Sequence, residues 1–198
     1  KFILNKNLKI SDFAEHQHLD FKNVDAQKTN FGESAFDCIV ASNMIHHIPY
    51  PIKFFYETHR ILKKNGKLII FDSYCSLVLQ LVVIFMKHEG FDFTVDPWSD
   101  SKPVTDENNL WAGNIAVTNM IFDNTHLFEK KIGHLYKIEH QKICECLIFL
   151  NSGGVHSTTK YVPLNLKMLK IIDKLDGLLT KYFPKIFACG RQVVLRKI

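Results

Sequence analysis

One short unit limits how this chain can fold more than any other. It consists of an apolar run at 36–42 (FDCIVAS), a helical stripe, and a second apolar run at 67–72 (KLIIFD). Both runs are continuous rather than alternating, the pattern of strands covered on both faces. Between them, Pro49-Tyr50-Pro51 suits a helix start. Ile52, Phe55, His59 and Leu62 of IKFFYETHRILKK then fall on one helical stripe. Lys63 and Lys64 are expected in its last turn, complementing the macrodipole, with Asn65-Gly66 as the left-handed cap. Strand, helix and strand with short joints make a right-handed parallel crossover, so the chain is α/β.

The chain has 198 residues and is 46% apolar, enough for one core, and this length favours a single domain over 1–198. Charged residues make up 23%, which excludes a disordered chain. The net charge of +5 is uneven: from 160 to 198 there are nine Lys/Arg against Asp173 and Asp176. Such an end suits an anionic ligand, a membrane surface or nucleic acid. Without an Arg-rich cluster or Lys/aromatic interleaving it reads first as a solvated helix face, and nucleic acid is not expected. The five scattered cysteines suit buried thiols in a reducing compartment, the cytoplasm. Cys144-x-Cys146 lacks the second pair and the ligand spacing of a zinc knuckle, so no metal is expected. The window SLVLQLVVIFM (76–86) is about half a membrane span and contains Gln80, so it reads as a buried or surface-lying helix.

Elsewhere, LKISDF (8–13) and FKNVDAQ (21–27) read as short strands, and 76–87 as a helix. Residues 87–130 form a substrate-side region in which the polar stretch 96–114 is a long loop over the sheet edge. HLYKIEHQ is strand-like, and ECLIFL suits either strand or helix. Residues 163–183 place Leu164, Met168, Ile171, Leu175, Leu178 and Leu179 at helical spacing, an amphipathic helix. GRQVVLRK closes the chain as a strand, and this helix–strand pair is expected at a sheet edge.

Ligands of open parallel sheets sit outside the carboxyl ends of the strands. Three proposed strands end in polar groups there: Asp12, Asp25 with Ala26, and Ser42-Asn43. A carboxylate at the second strand's end matches the vicinal diol of a ribose, and a second one with the following N–H matches an adenine edge.

The segment NVDAQKTNFGESAFDCIVASNMIHHIPYPIKFFYETHRILKKNGKLIIFD resembles the class I S-adenosylmethionine-dependent methyltransferases from their third to fifth strand. The blocks SDF, KHEGFD (87–92), AGNIAVTNMIF (112–122) and NSGGVHS (151–157) resemble a bacterial subgroup linked with surface-glycan clusters. The resemblance implies a Rossmann-like sheet, mostly parallel with an antiparallel C-terminal strand. It implies S-adenosylmethionine as cofactor, with Asp12 on the ribose, Asp25 and Ala26 on adenine, and Ser42 and Asn43 near the sulfur and amino-acid part. His47 is the favoured base, and at most one of His46 and His47 reaches the pocket. His88, beside Glu89, is a further catalytic candidate, and Asn114 and the Ser152-Gly153-Gly154 turn are candidates for the acceptor site.

Two departures stand out. The family's Pro-Gly-Gly turn is Lys64-Asn65-Gly66 here, which is harmless because Asn tolerates the left-handed conformation. The Gly-rich loop after the first strand is absent, and the resemblance places it before Lys1. The chain is therefore expected to be an N-terminally incomplete domain without its first strand. The expected function is methyl transfer to a small-molecule or glycan acceptor, lipid-linked acceptors and a peripheral membrane contact included. The alternatives are a non-catalytic or truncated relative serving binding or assembly, and a nucleotide or membrane-surface module built on the basic end.

Overall fold

In the computed structural model, which describes residues 7–87, 89–109, 111–151 and 161–198, four strands form one sheet. β1 (Phe36–Ser42) and β2 (Leu62–Ser73) are parallel neighbours joined through helix α1 (Pro51–Ile61). β4 (Gly190–Lys197) lies antiparallel between β2 and β3 (Tyr136–Cys144), giving the order β1-β2-β4-β3. Three strands therefore share one direction and the last is reversed, the mixed Rossmann-like α/β sheet expected. The remaining helices are α2 (Leu77–Met86), α3 (Val117–Phe122), α4 (Thr125–Ile132), α5 (Leu147–Asn151), α6 (Leu166–Tyr182) and α7 (Pro184–Phe187). Among the described residues, no helix is long and apolar enough to cross a membrane.

The core forms where α1, α3 and α4 cover the sheet. Phe54 and Phe55 of α1 meet Leu68 and Ile70 of β2 and Val193 and Leu195 of β4. Phe122 and Phe128 close it from α3 and α4. The polar 96–114 stretch is a loop, and it lays Trp98 and Val104 onto this core, with Val104 N–H donating to the Pro49 carbonyl at 2.8 Å. Pro51 occupies the first turn of α1, as its missing N–H allows.

Several expectations need correction. FDCIVAS is not covered on both faces: β1 is an edge strand with Cys38 exposed and Val40 54% exposed. The 8–13 and 21–27 stretches are not strands of the sheet. They meet in a single parallel bridge, Ser11 with Phe21, and leave Leu8, Ile10, Phe13 and Phe21 exposed, because no layer covers them among the described residues. Helix α1 ends at Ile61, so Lys63 and Lys64 lie in β2. There the pairing skips from Phe36↔Leu62 to Cys38↔Lys67, and the turn becomes a bulge with Asn65 at φ 62°. A Cβ on Gly66 would sit 2.8 Å from the Lys63 carbonyl oxygen, so this bulge needs glycine. β4 is interior rather than at an edge, because Val193 and Leu195 are apolar enough to be buried there.

α6 is the amphipathic helix expected, but rotated. Its buried residues are Asp176 and Thr180, and Ile171, Leu175 and Leu178 face outward. Asp176 sets this rotation. Its carboxylate accepts the N–H groups of Cys146, Leu147 and Ile148 at 2.9–3.1 Å, capping the start of α5. ECLIFL thereby resolves as helical.

Phe55 is fully buried against the rings of Trp98, Phe122 and Tyr136. Phe55→Ala is expected to lose about 3–5 kcal/mol of unfolding free energy by urea titration.

Candidate functional site

The site forms where β1 and β2 end. Asp72, the last apolar run's terminal carboxylate, is fully buried. It accepts the N–H groups of Met44 at 3.2 Å, Ile45 at 2.8 Å and Ser73 at 2.7 Å, and it pairs with His46 Nδ1. These bonds hold the 3-10 turn Ile45–His47, which follows β1, against the end of β2. Asn43 enters that turn in the left-handed region, φ 48°, donating its N–H to the Phe71 carbonyl at 2.7 Å.

The two imidazoles converge instead of diverging. Their ring centroids are 4.1 Å apart, and both Nε2 atoms face Glu89, at 3.5 Å for His46 and 3.6 Å for His47. The tight turn, tied at His46 to Asp72 and at His47 Nδ1 to the Ala112 carbonyl at 3.2 Å, brings both rings to one side, with His46 buried and His47 partly open. Burial alone would push the His46 imidazolium down, but Asp72 and Glu89 outweigh it and raise its pKa to about 10. Burial would likewise raise the Asp72 carboxyl, and His46 with the Ser73 and Ile45 N–H groups holds it below its ordinary range. His47 is shifted down by burial and by the neighbouring charge of His46. One histidine is held as a cation and its neighbour is kept neutral.

Glu89 is delivered by a clasp between two of the sequence blocks. Gly90 N–H donates to the Gly113 carbonyl at 3.1 Å, and Ile115 N–H to the Gly90 carbonyl at 3.0 Å. A Cβ on Gly113 would stand 3.1 Å from Glu89 and 3.2 Å from the His46 ring, so a side chain here would have to push one of these two groups aside by a few tenths of an ångström. The ligand atoms of His46, His47 and Glu89 lie within 4.8 Å of one another, near enough for one cation. A protonated His46 between Asp72 and Glu89 already supplies positive charge there, and a cation would have to displace that proton.

The other sequence candidates fall as follows. Ser42 is exposed at the end of β1, beside Asn43. Asn114 is buried and fully bonded: its side chain accepts from Asp92 and Ala116 N–H and donates to the Asp92 and Val104 carbonyls, a loop clasp. Asp12 is exposed and caps a local turn through Ala14 N–H at 2.9 Å. Asp25 does the same for Gln27 at 2.8 Å, and Ala26 packs against the core. Val24 N–H donates to the Asp12 carbonyl, so the two acidic segments are neighbours. Asp25 lines an open hollow with Tyr50, Lys53 and Glu57 that Ser42, Asn43 and His47 do not line. His88, Ser152 and Gly153 lie outside the described residues.

Asp72 and Glu89 were not singled out from the sequence as site residues. Asp72 carries a usable signal in the sequence, because it ends the apolar run KLIIFD, as Asp12 and Asp25 close apolar stretches of their own. Glu89 had only its place beside His88.

Residues 4–70 match the sequence family described as Methyltransferase domain. No curated protein matches the chain. Similar solved structures include a SAM-dependent methyltransferase from Archaeoglobus fulgidus, at 12% identity and TM-score 0.48, covering 95% of this chain and 74% of that one. Another is a SAM-dependent methyltransferase from Methanosarcina mazei, at 14% identity and TM-score 0.43, covering 91% and 68%. The YcgJ protein of Bacillus subtilis is similar at 15% identity and TM-score 0.42, covering 90% and 70%. The family match covers about a third of the chain, and the mixed α/β sheet is the fold that the sequence leads one to expect.

The His46–Asp72 pair makes stability depend on pH in a definite direction. His46, raised above its ordinary 6.5 to about 10, stabilises the fold fully below pH 6.5 and loses this contribution as pH rises through about 10. Asp72, lowered below 3.8, contributes above that pH and loses its share as pH falls further. Thermal unfolding across pH 6.5 to 10 should show this decline. His46→Ala should flatten it and cost about 3–5 kcal/mol, because it leaves a buried carboxylate without its cation.

Proposed function

We propose that this protein transfers a methyl group from S-adenosylmethionine to a hydroxyl of a small-molecule or glycan acceptor, with His47 accepting the acceptor's proton. The observation that carries the reading is the convergence of a neutral His47 and a carboxylate, Glu89, at the ends of β1 and β2. That is the edge at which open parallel sheets take ligands.

The cofactor's sulfonium supplies an activated methyl and a neutral thioether leaving group, so the chain's own residues need only bind, align and deprotonate. His47 donates from Nδ1 to the Ala112 carbonyl, which leaves the Nε2 lone pair on the side facing Glu89. As the acceptor oxygen bonds to the methyl carbon and the carbon–sulfur bond breaks, its proton passes to His47 Nε2. Glu89 stabilises the imidazolium that results. His46 is a positioning residue, held by Asp72 and holding Glu89.

Asp12 and Asp25 sit on adjacent segments, and each engages one carboxylate oxygen in a local turn while the other has no partner among the described residues. Asp12 is assigned to the ribose diol, Asp25 with the Ala26 N–H to the adenine edge, and Ser42 and Asn43 to the methionine part. A reducing, cytoplasmic setting suits the five free thiols. A competing reading, a methyltransferase fold kept for binding or assembly, draws on the absence of strands at 8–13 and 21–27 from the sheet among the described residues.

Calorimetry separates the two. S-adenosylmethionine is expected to bind a chain that carries the Gly-rich loop which the resemblance places before Lys1, and Asp12→Ala to weaken that binding by about tenfold, the worth of a hydrogen-bonded carboxylate contact. A flat titration would leave the binding-or-assembly reading in its place. With a panel of hydroxyl acceptors, His47→Gln should lose release of S-adenosylhomocysteine about 10²-fold or more while cofactor affinity holds. Undiminished turnover in that variant removes His47 as the base.

A further inference from the structure

We infer that the apolar face shared by α2, α6 and α7 is a docking surface for an anionic lipid bilayer, on which the protein lies peripherally. This binding stands apart from the methyl-transfer reading, since no site residue takes part in it.

Two helices of opposite sequence character turn apolar faces outward. On α2, Leu77, Leu81, Ile84 and Phe85 are exposed, Phe85 by 82%, and only Leu79 and Val83 are buried. At ~100° per residue those four exposed positions span about 100° of the helix, a stripe and not a scatter. On α6, Ile171, Leu175, Leu178 and Tyr182 form a second exposed stripe, while Asp176 and Thr180 point inward. α7 packs against both helices and adds exposed Ile186, so the two stripes belong to one neighbourhood. Ordinary soluble surfaces scatter single apolar residues and do not align them along two adjoining helices.

Charge decides the occupant. Lys167, Lys170, Lys174 and Lys181 fall within about 60° on one flank of the α6 stripe, and Lys185 of α7 is exposed as well. The acids of α6 stay away from it: Asp176 is buried on the α5 cap, and Asp173 lies on the far side of the lysines. No acid interrupts α2. A second copy of the chain would bring two lysine flanks of the same sign together. An anionic lipid surface instead accepts the lysine heads at its phosphates and the leucine and aromatic side chains below them, the arrangement of an interfacial amphipathic helix.

The buried side of α2, behind that face, packs toward the candidate site. Leu79 and Val83 of α2 pack on Ile115 and Ala116, next to Asn114, whose N–H holds the His46 carbonyl at 2.8 Å. A bilayer-bound molecule would therefore hold its site behind α2, on the side of the helix away from the lipid.

The test is sedimentation of the full chain with vesicles. Vesicles with about one-third phosphatidylglycerol are expected to retain the protein, pure phosphatidylcholine about tenfold less, and salt raised to about 0.5 M should release it in part. The pair F85E/L178E, both exposed, should lower binding about tenfold or more with an unchanged far-ultraviolet spectrum. The pair K170E/K174E should weaken binding and flatten its salt dependence. Failure to bind anionic vesicles, or equal binding by F85E/L178E, overturns the inference. So does a dimer by light scattering that this pair dissociates, because the face would then belong to a second copy.

Discussion

The buried carboxylate of Asp72 is the constraint on which the rest of the site depends. A charge with no access to water is tolerable only when its lone pairs are filled, and Asp72 fills them with three backbone N–H groups and the His46 ring. Two of those N–H groups belong to the turn after β1 and one to β2, so a single side chain fastens the ends of neighbouring parallel strands. Charge-assisted bonds of this kind are worth about 1.5–3 kcal/mol each, more than neutral ones. The orientation of His46, and through Glu89 that of His47, follows from this anchor.

A second layer of bonds carries the anchor outward. The clasp of Gly90 on Gly113, and of Asn114 on the His46 carbonyl, brings a segment some forty residues downstream onto the turn, about the reach a long loop can close at small entropic cost. Gly113 eases it by leaving no Cβ where Glu89 and His46 meet. The same physical logic rotates α6. One buried aspartate capping α5 outweighs the gain from burying the helix's leucines, because an uncapped helix start beside a buried carboxylate is the costlier state.

Much of the fold was legible in the residues, and the misses have identifiable causes. The β1–α1–β2 unit, the α2 helix and the closing strand were readable because their apolar residues are continuous or helically spaced and their ends carry proline, serine or glycine. The exposure of Cys38 and Val40 was not readable, since a continuous apolar run does not say whether a neighbour strand is present. The short α3 and α4 were missed because at six and eight residues their periodicity is too brief to register, although both supply core. At the site, the His pair was visible as chemistry. Its partners Asp72 and Glu89 lie 26 and 43 positions from His46, and no spacing rule connects them.

By itself the sequence determined the α/β class, the parallel crossover and the residue types able to bind and deprotonate, because periodicity and side-chain chemistry are local properties. Tertiary structure alone decided which way α6 faces and that one histidine is held as a cation while its neighbour stays neutral. Those outcomes depend on burial and on charges brought together from distant positions, and neither is a property of any segment of the chain taken alone.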